Sequence, residues 1–277
     1  MSALKWGRRF LMCPPMHFGV LYEINTWMHK QVLVDPDRAL TQWDALVATL
    51  REAGAEIEVQ PPVEGLPDLV FTANAGLVDG NRFIPARFRH PERQAETPHD
   101  VAWFRDAGAE IVELPELVSH EGAGDALPFA GKLVSGYRTR SDAAAHAHLS
   151  LLIGAPVLAV ELVDPRFYHL DLTFCPLDDR RAIVNPLGWD AYGNKVIEAL
   201  VLEPLVLEDD EALGFVANSV VVGNTIVMPS CSPRIGRQLE KWGFDVAVTP
   251  VDEFLKAGGA CRCLTLALDV TLSPAAA

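Results

Sequence analysis

Five short segments carry the residues whose types could do chemistry: PDLVFTAN (Asp68, Asn74), HEGAGD (Glu121, Asp125), YHLDLTF (His169, Asp171), FVANSV (Asn218) and GGACRC (Cys261, Cys263). Each opens an apolar, strand-like run. A polar group set among apolar strand residues must be paired or put to use, because burying it unpaired is costly. Any one of these residues taken singly also fits a structural capping role. Together they supply a thiol, an imidazole and several carboxylates, a set suited to covalent catalysis on a cation. Cys261 and Cys263 stand two apart, and on a strand both would face the same side. The spacing alone therefore does not choose between them.

The elements that must position these groups read as a repeated unit. Residues 35–60, DPDRALTQWDALVATLREAGAEIEVQ, place Leu40, Trp43, Leu46, Val47 and Leu50 at helical spacing, followed by a glycine and an alternating run. The order helix, glycine stop, strand returns around Gly108, Gly154 and Gly243, with a weaker copy in NKVIEALVLEPLVLED. These markers lie roughly 40 to 54 residues apart, a spacing typical of supersecondary repeats. Hairpins with DG, AGK, DD and GN at their tips separate the helices in FTANAGLVDGNRFIPA, DALPFAGKLVSGY, LTFCPLDDRRAIVNP and NSVVVGNTIVMP. A fifth hairpin must join the C-terminal CRCLTLALDVTL to the N-terminal RRFLMCPP, which closes the array and leaves no bare sheet edge. The expectation is a five-bladed, pseudo-fivefold α/β propeller of ββαβ units forming one catalytic domain over 1–277. The competing architecture is an open doubly wound sheet, but no GxGxxG or GxxxxGK[ST] loop marks a nucleotide site.

Composition narrows the partners. The 277 residues are 49% hydrophobic and 22% charged, which suits a globular chain with a substantial core. A formal charge of −14 repels phosphate backbones and anionic lipid, so neither nucleic acid nor a membrane is expected as partner, whereas a cationic small-molecule substrate is attracted. No run of about 18 apolar residues and no signal-peptide core is present, which points to the cytoplasm. Five cysteines without CxxC pairs fit reduced thiols rather than disulfides or a metal site, and no cofactor is implied. Monomer and homo-oligomer both stay open.

FTANAGLV, EGAGD, FYHLDLTF and FLKAGGACRCLTL, in this order over nearly the whole chain, resemble the amidinotransferase and guanidine-hydrolase superfamily of pentein fold. Within it the chain is most similar to arginine dihydrolases and arginine deiminases, then to dimethylarginine dimethylaminohydrolases. The resemblance implies Cys263, in Cys263-Leu264-Thr265, as nucleophile and leaves Cys261 unmatched. It implies His169 as general acid and base, Glu121 and Asp171 as carboxylates gripping the guanidinium, and Asp68 and Asn74 as further substrate contacts. Arg140 matches an arginine that holds the substrate carboxylate, Arg93 a second such contact, and Asn25 a position approaching ligand. The segment HFGVLYEINTWM around Asn25 is a candidate lid or wall, and a plain core loop fits it equally. The remaining seven histidines are expected in surface or structural roles.

The resemblance also implies a reaction. Cys263 attacks the guanidinium carbon, His169 protonates the departing ammonia, and a thiouronium is hydrolysed by water that His169 activates. Deiminases generally carry aspartate where Asn74 stands, and a neutral amide can donate to a ureido oxygen that a carboxylate would repel, which favours a second round giving ornithine. Dimethylarginine hydrolases usually have lysine where Asp171 stands, which favours unsubstituted arginine. Ala73 and Ala123 replace more acidic family residues and leave room for methyl groups, so dimethylarginine stays as the alternative substrate, followed by deiminase and amidino transfer. A non-catalytic binding ring of the same fold would have lost the Cys, His and carboxylate set.

Overall fold

A computed structural model describes residues 4–272, so the ends of the expected 1–277 unit, 1–3 and 273–277, lie outside the described residues. The first unit holds β1 (Arg9–Met12), α1 (Pro36–Glu52) and β2 (Glu56–Val59). The second holds β3 (Gly76–Asp79), β4 (Arg82–Pro85), α2 (Thr97–Asp106) and β5 (Glu110–Ile111), and the third α3 (Gly122–Asp125), β6 (Ala126–Phe129), β7 (Lys132–Tyr137), α4 (Ala144–Ile153) and β8 (Val157–Glu161). The fourth is β9 (Phe174–Pro176), β10 (Arg181–Val184), α5 (Ala191–Leu200) and β11 (Glu203–Val206). The fifth is α6 (Asp209–Leu213), β12 (Val220–Val222), β13 (Thr225–Met228), α7 (Pro233–Lys241) and β14 (Asp245–Val248), after which α8 (Asp252–Leu255) and β15 (Leu266–Ala267) return to the first.

Each unit makes one three-stranded sheet in which an antiparallel hairpin is extended by a parallel strand after the helix. The first sheet is closed by the two chain ends. β15 pairs antiparallel with β1 in the register Phe10 to Ala267 and Leu11 to Leu266, and β2 runs parallel to β1. This is the ββαβ propeller expected from the repeat, and the open doubly wound sheet is excluded by the five separate sheets.

Local chemistry explains the units. Asp35 caps α1 by accepting from the Arg38 amide at 3.1 Å, Pro36 stands in the first turn, and the face bearing Ala39, Trp43, Leu46, Val47 and Leu50 is buried. Gly54, at φ 98°, then turns the chain into β2 in a conformation that costs a side-chain-bearing residue energy. Burial falls outward across each sheet: β3 and β12 are buried throughout, whereas the outer strands β2 and β14 show exposed ends. The hairpins therefore line the middle of the molecule, and the helices wrap it.

Two expectations need correction. The polar segments do not begin strands but form tight turns just before them, at Pro67–Val70 and Thr72–Asn74, in α3, and at Leu170–Leu172. The C-terminal run 261–272 is not one strand either, since Leu266–Ala267 alone pair with β1. Residues 261–264 instead coil, with the Leu264 amide donating to the Ala260 carbonyl at 3.2 Å and the Thr265 amide to that of Arg262 at 3.0 Å. Alternation of apolar and polar residues looks the same in a strand and in such a turn when only four residues are involved.

Candidate active site

The five turns meet at the centre and bond to one another in a closed circuit. The Asn74 amide nitrogen donates to the Glu121 carbonyl at 3.4 Å, and the Leu170 amide to Asp125 Oδ1 at 3.1 Å. Asn218 Nδ2 reaches the Asp171 carbonyl at 3.2 Å, the Cys263 amide donates to Asn218 Oδ1 at 3.1 Å, and the Ala73 amide donates to the Cys263 carbonyl at 3.1 Å. Each unit is thus tied to the next through the segment that bears its polar side chains. Backbone groups in turns need partners when buried, and here the neighbouring unit supplies them.

The coiling at 261–264 separates the two thiols. Cys261 turns toward the Thr249 carbonyl at 3.7 Å and packs in the hydrophobic core, with its thiol pushed up beyond the ordinary cysteine range by burial. Cys263 Sγ lies 3.1 Å from Asn218 Nδ2 and 3.3 Å from Asp171 Oδ2. Side chains two apart face one way on a strand, but in a turn they diverge, so the equivalence of the two cysteines does not hold. Asn218 Oδ1 accepts from the amides of Ala260, Arg262 and Cys263, each at 3.1 Å, which fixes the turn that carries the sulfur.

His169 is buried, and its Nε2 lies 2.8 Å from Glu121 Oε2. The same Glu121 oxygen takes Arg140 Nη1 at 2.9 Å, and its Oε1 accepts the Arg89 amide at 3.3 Å. Burial would raise the Glu121 carboxyl, but Arg140, His169 and Arg93 outweigh it and hold the group ionised well below the usual carboxylate range. An ionised Glu121 requires the hydrogen on His169 Nε2, which leaves Nδ1, on the side of Asn74 and Gly124, as the basic nitrogen. Burial lowers His169 to about 4 despite Glu121, so the imidazole is neutral at pH 7.

A narrow cavity opens beside Cys263 and is bordered by Asp68, Asn74, Arg93, Arg140, Tyr168 and Asn25. Asn74 Oδ1 accepts from Arg93 Nη1 at 2.8 Å, and Arg93 is clamped by Glu96 through Nε at 2.9 Å and Nη2 at 2.7 Å. That clamp turns the Asn74 NH2 group away from Arg93 and toward the Glu121 carbonyl. Arg140 lies over the Tyr168 ring and donates from Nη2 to the Ile24 carbonyl at 3.1 Å, while its Nε, buried, has no partner. Asp68 Oδ1 and Asp171 Oδ1 are likewise buried without partners. Two carboxylate oxygens and a guanidinium N–H without partners in one region are what an arginine-like ligand, with its own N–H groups and carboxylate, would satisfy.

Burial shifts both carboxyls that would meet a cation upward from the ordinary range. Burial pushes Asp171 up to about 7, against the opposing bond to Cys263 and the charge of Arg262. Asp68 is raised by burial although Arg93 opposes it, and the Cys263 thiol is raised well above its ordinary range by burial and by Asp171. A guanidinium entering here reverses the balance, because an opposite charge nearby favours both carboxylate and thiolate.

All nine expected site residues come to this region, with two differences in what their side chains do. Glu121 spends both oxygens on His169, Arg140 and the Arg89 amide, so it is Asp68 and Asp171 that retain free acceptors. Asn25 borders the cavity, yet its Nδ2 donates to the Ala257 carbonyl at 3.0 Å and its Oδ1 caps the Trp27 and Met28 amides. It fastens the segment 17–28 over the site as a wall, helped by Trp27 Nε1 on the Arg166 carbonyl at 2.8 Å. Asn218 was visible in the sequence as a ring residue but had no assigned task there. Its signal was the polar side chain in FVANSV before an all-valine strand.

Comparison with known proteins places the chain. No family model matches it. It is 42% identical over 271 residues to the bifunctional arginine dihydrolase/ornithine cyclodeaminase ArgZ of Synechocystis sp., which covers 96% of this chain; the chain spans 38% of that longer protein. It is 36% identical over 259 residues to an N(G),N(G)-dimethylarginine dimethylaminohydrolase of Mycobacterium tuberculosis, covering 94% of this chain and 85% of the relative. A solved structure of the N-terminal domain of ArgZ, carrying an asparagine-to-serine change and covalently bound to a reaction intermediate, matches with a TM-score of 0.93 at 41% identity, over 96% of this chain and 99% of that one. A relative of similar length and a solved domain of the same fold thus join what the site suggests, and the chain belongs to the guanidine-modifying superfamily of pentein fold that includes this dimethylarginine dimethylaminohydrolase and the N-terminal domain of ArgZ.

Proposed function

We propose that residues 1–277 form one catalytic domain that hydrolyses the guanidine group of free arginine, using Cys263 as nucleophile and giving ornithine, carbon dioxide and two ammonia. The observation that carries this reading is the seat of Cys263 Sγ between the Asn218 amide and the Asp171 carboxyl, beside carboxylate oxygens that lack partners. No helix among the described residues is long and apolar enough to cross a membrane, and a cytoplasmic enzyme with a small cationic substrate fits the acidic chain.

The guanidinium N–H groups bond to Asp171 and Asp68, while Arg140, with Arg93 behind it, receives the substrate carboxylate. As the cation arrives the Cys263 thiol gives its proton to His169 Nδ1, and the thiolate, held by Asn218, adds to the guanidinium carbon. His169 Nδ1 delivers a proton to the departing ammonia, and Glu121 keeps the ring in the tautomer that allows this. The thiouronium on sulfur then takes a hydroxide from water that gives its proton back to Nδ1, and citrulline is formed. In a second round the thiolate adds to the ureido carbon, a second ammonia leaves, and water releases a carbamate that breaks down to ornithine and carbon dioxide. The Asn74 NH2 group, aimed by the Arg93 clamp, donates to the ureido oxygen in this round.

The relative from M. tuberculosis favours a second reading, hydrolysis of dimethylarginine to citrulline and dimethylamine. Asp171 speaks against it, since a methylated nitrogen has fewer protons to offer a second carboxylate. Cys263→Ser is the test of the nucleophile: it should lose turnover yet still bind arginine, whereas Cys261→Ser should keep turnover. Full activity of Cys263→Ser would overturn the assignment.

A further inference from the structure

Asp125 is a carboxylate of the central ring to which the proposed reaction gives no task. It is fully buried, and both of its oxygens are spent. Oδ1 accepts the Leu170 amide at 3.1 Å, and Oδ2 lies 2.6 Å from the Ser141 hydroxyl. The Gly136 backbone presses on the same group, since a side-chain carbon there would stand 3.2 Å from Asp125 Oδ1 and 3.2 Å from Leu170 Cβ. Asp68 and Asp171, in contrast, each keep an oxygen without a partner. Asp125 is therefore not built to meet substrate.

Its partners are neighbours of the groups that are. Leu170 stands between His169 and Asp171, and Ser141 follows Arg140. The Ser141 oxygen also accepts the Glu121 amide at 3.0 Å. A run of three bonds thus joins the backbone at Leu170 to the backbone at Glu121, by way of Asp125 and Ser141. The same two segments meet again through their side chains, His169 Nε2 on Glu121 Oε2 at 2.8 Å. These residues close a loop in which the bonds behind fix the contact in front, because members of a satisfied buried network hold one another in place. Burial, with Glu121 and Asp171 nearby, raises Asp125 well above the usual carboxyl range against the bonds from Ser141 and Leu170. That suits a group that holds a run of hydrogen bonds better than one that offers charge to a ligand.

We propose that Asp125 is a positioning residue which, through Ser141 and the Leu170 amide, holds His169 Nε2 on Glu121 and so keeps Nδ1 as the basic nitrogen of the ring. The proposal rests on the reading of His169 as the proton carrier in arginine hydrolysis.

Asp125→Asn keeps a bond on each side, an oxygen for the Leu170 amide and an NH2 donor for the Ser141 oxygen, whereas Asp125→Ala loses both. Ser141→Ala cuts the run toward Glu121 and leaves the Leu170 bond in place. Nitrogen-15 NMR of ring-labelled histidines reads the tautomer, with the His169 signals assigned as those missing from His169→Gln. At pH 7 the wild type should show hydrogen on Nε2 and a bare Nδ1. In Asp125→Ala and Ser141→Ala a measurable share of the hydrogen should move to Nδ1, and kcat for arginine should fall roughly 10- to 100-fold, the scale of a small misplacement. Asp125→Asn should restore the tautomer and bring kcat within a few-fold of the wild type. If Asp125→Ala does not fold, Ser141→Ala carries the comparison. A folded Ser141→Ala with the wild-type tautomer or the wild-type kcat, or an Asp125→Asn as impaired as Asp125→Ala, would overturn the proposal. The tautomer is read without turnover, so a wild type inert toward arginine would refute the activity reading while the tautomer comparison still decides the role of Asp125.

Discussion

Replacing Asn74 by Asp isolates the second round of hydrolysis from the first. The Oδ1 atom keeps its bond from Arg93 Nη1, at 2.8 Å in the wild type, so the side chain stays in place. The NH2 group that faces the Glu121 carbonyl at 3.4 Å becomes an oxygen. A guanidinium cation gains from an added carboxylate, so citrulline formation should change by no more than a few-fold. A ureido oxygen loses a donor, worth about 1 kcal/mol, and is left buried against an acceptor, which adds about 1–3 kcal/mol. Together these come to roughly 2–4 kcal/mol, or roughly 30- to 700-fold on the second round at about 1.4 kcal/mol per decade. With arginine labelled at the guanidine carbon, carbon-13 NMR in single-turnover conditions should show citrulline accumulating where the wild type passes on to labelled carbon dioxide. An unchanged product ratio, or equal slowing of both rounds, would refute the role given to the Asn74 amide.

Asn218→Asp keeps the acceptor for three backbone amides but removes the donor to sulfur, so the protein should fold while Cys263 alkylation by an amidine reagent slows roughly 10- to 150-fold, the worth of a bond to a charged group. Alkylation at the wild-type rate would remove Asn218 from the mechanism. Because Asp171 is pushed up to about 7 by burial, arginine binding displaces protons: affinity should rise by up to about tenfold per pH unit below 7, and calorimetry in buffers of different ionisation enthalpy should register proton release. A pH-independent affinity would contradict this. The same shift acts on stability. A carboxyl that holds its proton in the folded state but not in the unfolded one makes stability fall as pH rises from about 4 to 7, by up to about 4 kcal/mol, and saturating arginine should abolish that fall. Thermal unfolding at pH 5 and pH 8, with and without arginine, measures it; equal unfolding temperatures without arginine would count against a protonated Asp171.

The repeat was legible because helix periodicity, the stop after α1 at Gly54 and hairpin tips such as Asp79-Gly80 are local signals that depend on few neighbours. Closure of the ring by β15 on β1 was legible for a different reason: the fifth hairpin was missing from the interior of the sequence and had to come from the two ends. What the sequence did not disclose is settled by atoms far away along the chain. Residues 261–263 alternate like a strand, yet Asn218, more than forty residues earlier, collects their amides into a turn and sends the two thiols apart. Glu121 and Asp171 are both acids in matching positions, and only the placement of Arg140 and His169 gives one an orienting task and leaves the other a free oxygen.

The central claim is that this chain hydrolyses arginine twice at one cysteine. Purified protein offered arginine and asymmetric dimethylarginine separately, without metal or nucleotide, should form ornithine with two ammonia per arginine and lose this activity in Cys263→Ser. Citrulline with dimethylamine from the methylated substrate, with no product from arginine, would contradict the claim.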